Sequence, residues 1–176
     1  MSELLLDIRD LVIEADIDGD WRPIVNGLSM GLHKGEIVGL IGESGAGKST
    51  FGLAGMGYTK PGCRIVSGSI KLEGEELVGA SPSRLREIRG NSVSYVAQSA
   101  AAAFNPAHRL ITQFVEAPVQ HGKMRSEEAA RRGQDLYRQL DLPDPEHIGN
   151  RFPHQVSGGQ LQRAMTAMAM GCDPRL

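Results

Sequence analysis

The run Gly42-Glu43-Ser44-Gly45-Ala46-Gly47-Lys48-Ser49-Thr50 follows a short apolar segment, Ile37-Val38-Gly39-Leu40-Ile41, and opens a stretch that can continue as a helix. This is G-x-x-x-x-G-K-[ST] in its strand–loop–helix context, the pattern of a phosphate-binding P-loop. The glycines let successive backbone N–H groups turn inward where a Cβ would block them. Those N–H groups form an anion nest, and the next helix begins with its positive end toward the same anion. Lys48 supplies a compact charge for the β- and γ-phosphates, and the Ser49 hydroxyl is placed to ligate Mg²⁺. A Gly/Ser-rich turn with no ligand is the plain alternative, and it leaves the order of strand, loop, Lys-Ser and helix unexplained.

A chain of 176 residues is sized for one domain. It is long enough to bury roughly 70% of its unfolded surface. The net charge is −2, and the densest basic patch, Arg84, Arg86 and Arg89, is interrupted by Leu85, Glu87 and Ile88. It reads as a solvated helix face rather than a nucleic-acid site. The only cysteines, Cys63 and Cys172, lack metal-ligand spacing and suit free thiols in a reducing compartment. The five histidines are scattered. No run approaches the ~18 apolar residues of a membrane span. The start, Met1–Asp7, lacks the basic and apolar regions of a secretory signal. These features point to a soluble cytosolic chain whose link to a membrane comes through a partner.

Taken in order, residues 4–14 read as a strand, Asp16–Pro23 as a turn region, and Leu28, Met30 and Leu32 as one face of a second strand. A turn at His33–Glu36 leads to a strand over 37–41. A helix from Lys48 is weakened by Gly52, Gly55 and Gly57 and ends at Pro61-Gly62. Ser67–Gly74 is a short strand entering a turn, Ser83–Arg89 a short helix, and Val93–Ala97 a buried strand ending at Gln98. Ser99–Ala103 reads as a small-residue linker, and Leu110–Val119 as helical up to Pro118. Ser126 is the expected N-cap of the next helix, with Glu127–Arg131 and Glu128–Arg132 as i,i+4 pairs. Its apolar face is Ala129, Gly133, Leu136, Tyr137 and Leu140, and Asp141–Pro145 stops it.

A second motif, Val156-Ser157-Gly158-Gly159-Gln160, precedes a helix with Leu161, Ala164, Met165, Met168 and Ala169 on one face. Ser157-x-x-Gln160 has capping-box spacing. The methionine and alanine face is core. Ser157, Gly158 and Gly159 form a second anion site at a helix start. Two such helix ends in one chain serve one nucleotide only if the fold, or a second copy of the chain, brings them together.

On these residues the chain resembles the ATPase subunit of an ATP-binding cassette (ABC) transporter. The resemblance rests on Gly42–Thr50, on Gln98 after a strand, and on Val156–Gln160 with Arg163 beyond. Phe104-Asn105-Pro106 and Phe152-Pro153-His154-Gln155 resemble the dipeptide, oligopeptide and nickel importer branch. The resemblance implies an α/β P-loop NTPase (RecA-like) core with an N-terminal antiparallel β subdomain and an inserted α-helical signature subdomain. It implies one nucleotide-binding domain, with a β and P-loop part over 1–98 and a helical part over 99–170. ATP and Mg²⁺ are the implied cofactors. Gly42, Glu43, Ser44, Gly45, Ala46, Gly47, Lys48, Ser49 and Thr50 would hold the nucleotide, with Ser49 and Gln98 toward Mg²⁺. Gln98 would also touch the attacking water. Ser157, Gly158, Gly159 and Gln160 would contact nucleotide held by the opposite subunit, making Gln98 and Ser157 the catalytic pair.

The implied partners are a second ATPase subunit, permease subunits in the membrane and, indirectly, an extracytoplasmic solute-binding protein, with no nucleic acid. The implied place is the cytoplasmic face of the membrane. Three departures stand out. Val156 replaces the usual leucine. Trp21 is offset from the position of an adenine-stacking aromatic, so stacking and packing roles both stay open. The hydrophobic strand and Asp-Glu pair that follow the signature helix in the family lie beyond 171–176. The expectation is therefore an incomplete sheet with an unpaired 37–41 edge, and a chain that does not hydrolyse ATP alone. Alternatives are a soluble ABC protein acting on ribosomes or nucleic acid, and a non-catalytic nucleotide-binding module. The transported solute is not encoded in these motifs.

Overall fold

The computed structural model describes residues 4–176. Met1–Glu3, part of the N-terminal start considered above, lie outside them. Contacts group the chain into two compact units. The first runs to Arg86 and takes in Arg175; the second covers Glu87–Pro174 and Leu176.

The first unit is built on an antiparallel sheet in the order β2-β1-β3-β4. β1 (Leu4–Ile17) is its long central strand, flanked by β2 (Asp20–His33) and β3 (Cys63–Leu72), with β4 reduced to Glu75–Glu76. Leu6, Ile8, Leu11 and Ile13 of β1 are buried, together with Ile70 and Leu72 of β3. The turn expected over Asp16–Pro23 contracts to Asp18-Gly19. Asp16 pairs with Trp21 and Ile17 with Asp20, so both strands extend into the polar stretch. Asp18 (φ 56°) and Gly19 (φ 91°) take the left-handed conformations that a tight hairpin requires. β1 bulges against β3 where Arg9 pairs with Ser69 and Val12 with Ser67. Gly68 answers the bulge at φ 101°, with Leu11 Cα only 2.6 Å from where a Cβ would stand.

Glu76 locks the β3–β4 turn. One carboxylate oxygen accepts from the Ile70 and Val78 amides at 2.9 and 3.0 Å, and the other from the Ser69 hydroxyl. Burial pushes this carboxyl upward, but the three donors together hold it below the usual carboxylate range.

Ile37–Ile41, expected as a strand, has no ladder partner among the described residues, and Ile37 and Ile41 are 97% and 98% exposed. A strand is defined by its pairing, and the four paired strands do not include this segment. Val93–Ala97 likewise forms no strand. Val93 makes an isolated bridge to Arg89, and Tyr95 and Val96 are exposed.

α1 (Lys48–Ala54) ends well before Pro61-Gly62. Gly55 caps it and Gly57 turns at φ 64°, so the chain leaves the helix at the glycines that weakened it. α1 buries Phe51, Leu53 and Ala54. α2 (Pro82–Ile88) is short, with Arg84 held to Glu75 by two hydrogen bonds of 2.6 and 2.7 Å.

The second unit is helical. Ala100–Ala103, expected as a linker, forms a single helical turn, α3, in keeping with alanine's propensity. α4 (Leu110–Gln120) runs two residues past Pro118, which removes one backbone donor near the end of the helix instead of stopping it. α5 (Ser126–Gln139) includes Ser126 as its first residue, so the cap is Arg125 and the expected Ser126 cap is one position off. Arg132 bonds Asp173 at 2.5 Å instead of closing the expected pair with Glu128. Two 3₁₀ turns, Ile148–Asn150 and Pro153–Gln155, lead to α6 (Gly158–Met170).

The core of this unit joins Phe114, Leu136, Tyr137, Ile148, Leu161 and Met165. Phe114 meets Tyr137 edge-on, with ring centroids 6.0 Å apart. Gly133 lets α4 and α5 approach, since a Cβ there would lie 2.8 Å from Ile111. On α6 the expected face holds for Leu161, Ala164 and Met165. Ala167 is buried as well, while Met168 and Ala169 are half-buried.

Candidate functional site

The first unit carries the P-loop as an exposed arch. Gly42–Ala46 are exposed, Gly47 and Lys48 half-buried, Ser49 exposed, and Thr50 buried in the first turn of α1. Gly45 (φ 86°) and Gly47 (φ 78°) take left-handed conformations that bend the backbone around its own interior. Gly47 is also sterically required, because a Cβ there would stand 2.6 Å from the Ile24 carbonyl oxygen of β2. The sheet thus presses on the loop from one side and fixes its curvature.

Lys48 Nζ donates to the carbonyls of Gly42 at 2.7 Å and Glu43 at 2.5 Å. The ammonium is held across the mouth of the arch, where it meets any anion that the loop amides receive. Ala46 N–H closes a turn onto Glu43 at 3.2 Å, and Phe51 N–H starts the helix on Gly47 O at 2.8 Å. The Ser49 hydroxyl makes no hydrogen bond to a described residue and is free to ligate a cation. Among the described residues, no cluster of three or more His, Cys, Asp or Glu could hold a metal. A Mg²⁺ ion carried in on a phosphate would find the Ser49 hydroxyl as a ligand at the start of α1.

Beside the loop lies a cleft of about 200 Å³, walled by Ile24, Val25 and Leu28 of β2 and by Leu40, Gly47 and Phe51. Ile24 and Val25 were not singled out in the sequence, and Leu28 was read only as part of a strand face; the close approach of Gly47 to Ile24 and Val25 brings them beside the loop. Trp21 does not line this cleft. Its ring lies under the Arg64 guanidinium, 3.9 Å from the centroid, and Arg64 also bonds Glu14. That gives Trp21 a packing partner on the sheet.

The second unit carries the other motifs. Ser157 caps α6 as its spacing predicts: Ser157 Oγ accepts from Gln160 N–H at 3.3 Å, and Gln160 Oε1 accepts from Ser157 N–H at 2.9 Å. The capping box commits the Gln160 carboxamide oxygen and leaves the Ser157 hydroxyl proton as a donor. Gly158 and Gly159 are exposed, and nothing lies within 4 Å of where their Cβ atoms would be. Together they present a bare helix N-terminus of the kind that receives anions. Gln98 is exposed, and the carbonyl before it, Ala97, accepts from Gln162 Nε2 of α6 at 3.1 Å. Within this unit, that bond ties the Gln98 segment to the helix that Ser157 caps. Arg163 reaches the carbonyls of Leu140 at 3.3 Å and Asp141 at 2.6 Å, closing the end of α5.

A phosphate-binding loop beside an antiparallel sheet, with a helical part bearing a capped Ser-Gly-Gly start, defines the ATP-binding cassette fold. Solved structures agree. The dimeric post-hydrolysis state of an ATP-binding cassette bound to ADP and Pi aligns with a TM-score of 0.83 at 21% identity, covering 96% of this chain and 70% of that one. An ATP-binding subunit of an ABC transporter aligns with a TM-score of 0.74 at 25% identity, covering 97% and 63%. Residues 25–176 match the ABC transporter family, and the chain belongs to that family. Among curated relatives, the oligopeptide transport ATP-binding protein OppD of Lactococcus lactis subsp. lactis (strain IL1403) is 34% identical over 175 residues, 99% of this chain and 52% of that protein. AppD of Bacillus subtilis (strain 168), another oligopeptide transport ATP-binding protein, is 38% identical over 155 residues, 88% and 47%. The probable D,D-dipeptide transport ATP-binding protein DdpD of Escherichia coli (strain K12) is 35% identical over 178 residues, 100% and 54%. The chain spans about half the length of these relatives.

Proposed function

We propose that this chain is the ATP-binding portion of an importer ATPase for peptides or chemically similar solutes. The observation that carries the reading is the P-loop arch, with Lys48 drawn across its mouth and Gly47 pressed against β2, in a chain whose relatives bear peptide-transport names. The amides of Gly42–Lys48 receive the phosphates, Lys48 neutralises their charge, and Ser49 ligates the Mg²⁺ that travels with them. Glu43, Ser44, Ala46 and Thr50 shape the loop and its junction with α1. Gln98 orients water toward the terminal phosphate. Ser157, Gly158 and Gly159 act on nucleotide held by a second ATPase subunit, with Gln160 keeping Ser157 in place. The β and P-loop part binds nucleotide, and the helical part carries the signature. The assembly sits peripherally at the cytoplasmic face of a membrane, against permease subunits served by an extracytoplasmic solute-binding protein. Among the described residues no helix is long and apolar enough to cross a membrane.

Two measurements test this. Lys48→Ala is expected to weaken Mg-ATP binding by about 1.5–3 kcal/mol, the scale of a lost charge-assisted contact. Titration calorimetry reads it, and equal affinities for wild type and variant would remove the site assignment. In the complete subunit, Ser157→Arg is expected to leave ATP binding by the monomer nearly intact while blocking ATP-driven dimerisation, followed by sedimentation, and turnover. Loss of ATP binding by the isolated variant would place Ser157 in the chain's own site instead.

A further inference from the structure

The wall of the phosphate cleft contains a peptide bond with its own reactivity. The chain has four asparagines: Asn26 before Gly27, Asn91 before Ser92, Asn105 before Pro106, and Asn150 before Arg151. Asparagine side chains cyclise when the next residue's backbone nitrogen attacks Cγ. Pro106 has no N–H and cannot do so. Gly27 offers a nitrogen with no Cβ to hinder the approach.

The fold sharpens this contrast. The nitrogens that would attack Asn91 and Asn150 are both engaged: Ser92 N–H donates to Ile88 O at 2.8 Å, and Arg151 N–H to Ile148 O at 3.0 Å. Gly27 has no ladder partner. The pairing steps from Leu11–Leu28 to Ile13–Val25, so Asn26 and Gly27 bulge out opposite Val12. β2 is also an edge strand of the sheet. Asn26 and Gly27 are exposed, Gly27 sits at φ 64° with open space around its Cα, and the Asn26 carboxamide bonds no described residue.

We propose that Asn26 is a site of spontaneous covalent modification, deamidating and isomerising through a succinimide on the rim of the nucleotide cleft. The Gly27 nitrogen loses its proton to solvent and forms a bond to Asn26 Cγ. The bond from Cγ to the carboxamide nitrogen breaks, that nitrogen takes up a proton from solvent, and ammonia leaves. One water then opens the ring at either carbonyl, leaving aspartate or isoaspartate at position 26. No oxidant or reductant takes part, and water is the only co-reactant. Asn26 lines the same cleft as Lys48, so the reaction places a carboxylate there in place of a neutral amide. The isoaspartyl product also lengthens the backbone next to Val25, whose side chain lies against Gly47.

The test is timed incubation of the purified chain at mildly alkaline pH, folded and in urea, with isoaspartyl methyltransferase labelling and mass-spectrometric peptide mapping. The expected result is modification of the folded chain at Asn26 ahead of Asn91 and Asn150, at nearly the rate seen in urea. Asn26→Gln removes that signal without changing the circular dichroism spectrum. A folded-state rate at Asn26 far below the rate in urea overturns the proposal, as does earlier labelling at Asn91 or Asn150.

Discussion

Phe114→Ala is expected to destabilise the helical unit by about 3–5 kcal/mol, the range for deleting a large buried aromatic. Phe114 is 1% exposed and stands at the meeting point of three helices. It meets Tyr137 of α5 edge-on, while Gly133 of α5 and Gly171 beyond α6 let the backbone close around its ring. Helices held this closely by glycine contacts collapse poorly into a new cavity, which puts the cost at the upper end. Tyr137 adds to the effect. Its hydroxyl is buried without a partner, burial pushes its pKa upward, and the edge contact with Phe114 is among the interactions that hold the ring in the core. Urea unfolding followed by far-ultraviolet circular dichroism reads the loss. A variant within about 1 kcal/mol of wild type would mean the site relaxes far more than this packing implies.

Gly47→Ala is the second large effect, and it acts on the ligand site. The alanine must hold a left-handed conformation, at roughly 1–2 kcal/mol. Its Cβ must also displace the Ile24 carbonyl from 2.6 Å, an overpacking of roughly 1–3 kcal/mol. Ile24 belongs to a sheet anchored by the buried residues of β1, so the loop is the partner that moves. Nucleotide affinity is expected to fall at least as far as in Lys48→Ala, although every charged group remains. Calorimetric titration with Mg-ATP checks it, with thermal unfolding alongside to separate a deformed loop from an unfolded unit. Unchanged affinity in a folded variant would show that the sheet does not set the loop's curvature.

The parts legible in the sequence were those whose causes are local. The P-loop glycines, the Ser157–Gln160 capping box and the α5 face each depend on residues a few positions apart, and they stand where spacing put them. Failures came where structure depends on distant partners. Ile37–Ile41, expected as a strand with an unpaired edge, is unpaired among the described residues and exposed, and without a ladder it is no strand at all. Val93–Ala97 has strand composition, but no spacing within it reveals that its neighbour is missing. The hairpin erred the other way: polar Asp16 to Pro23 looked like a loop, yet pairing with β1 carried it into the sheet. Within the site, Lys48 and Ser49 were readable from the motif. The cleft wall of Ile24, Val25 and Leu28 was not, because it depends on how β2 lies against α1.

The grip of Lys48 on the Gly42 and Glu43 carbonyls bears on how fast a bound nucleotide can leave. A lysine that faced only phosphate would be stranded at the instant of departure, and the barrier to release would include the bare charge. Here the departing phosphate can hand the ammonium to two waiting oxygens in the same movement. On the function proposed above, dissociation would proceed by exchange rather than by rupture, and would leave the loop in the shape that the next nucleotide meets.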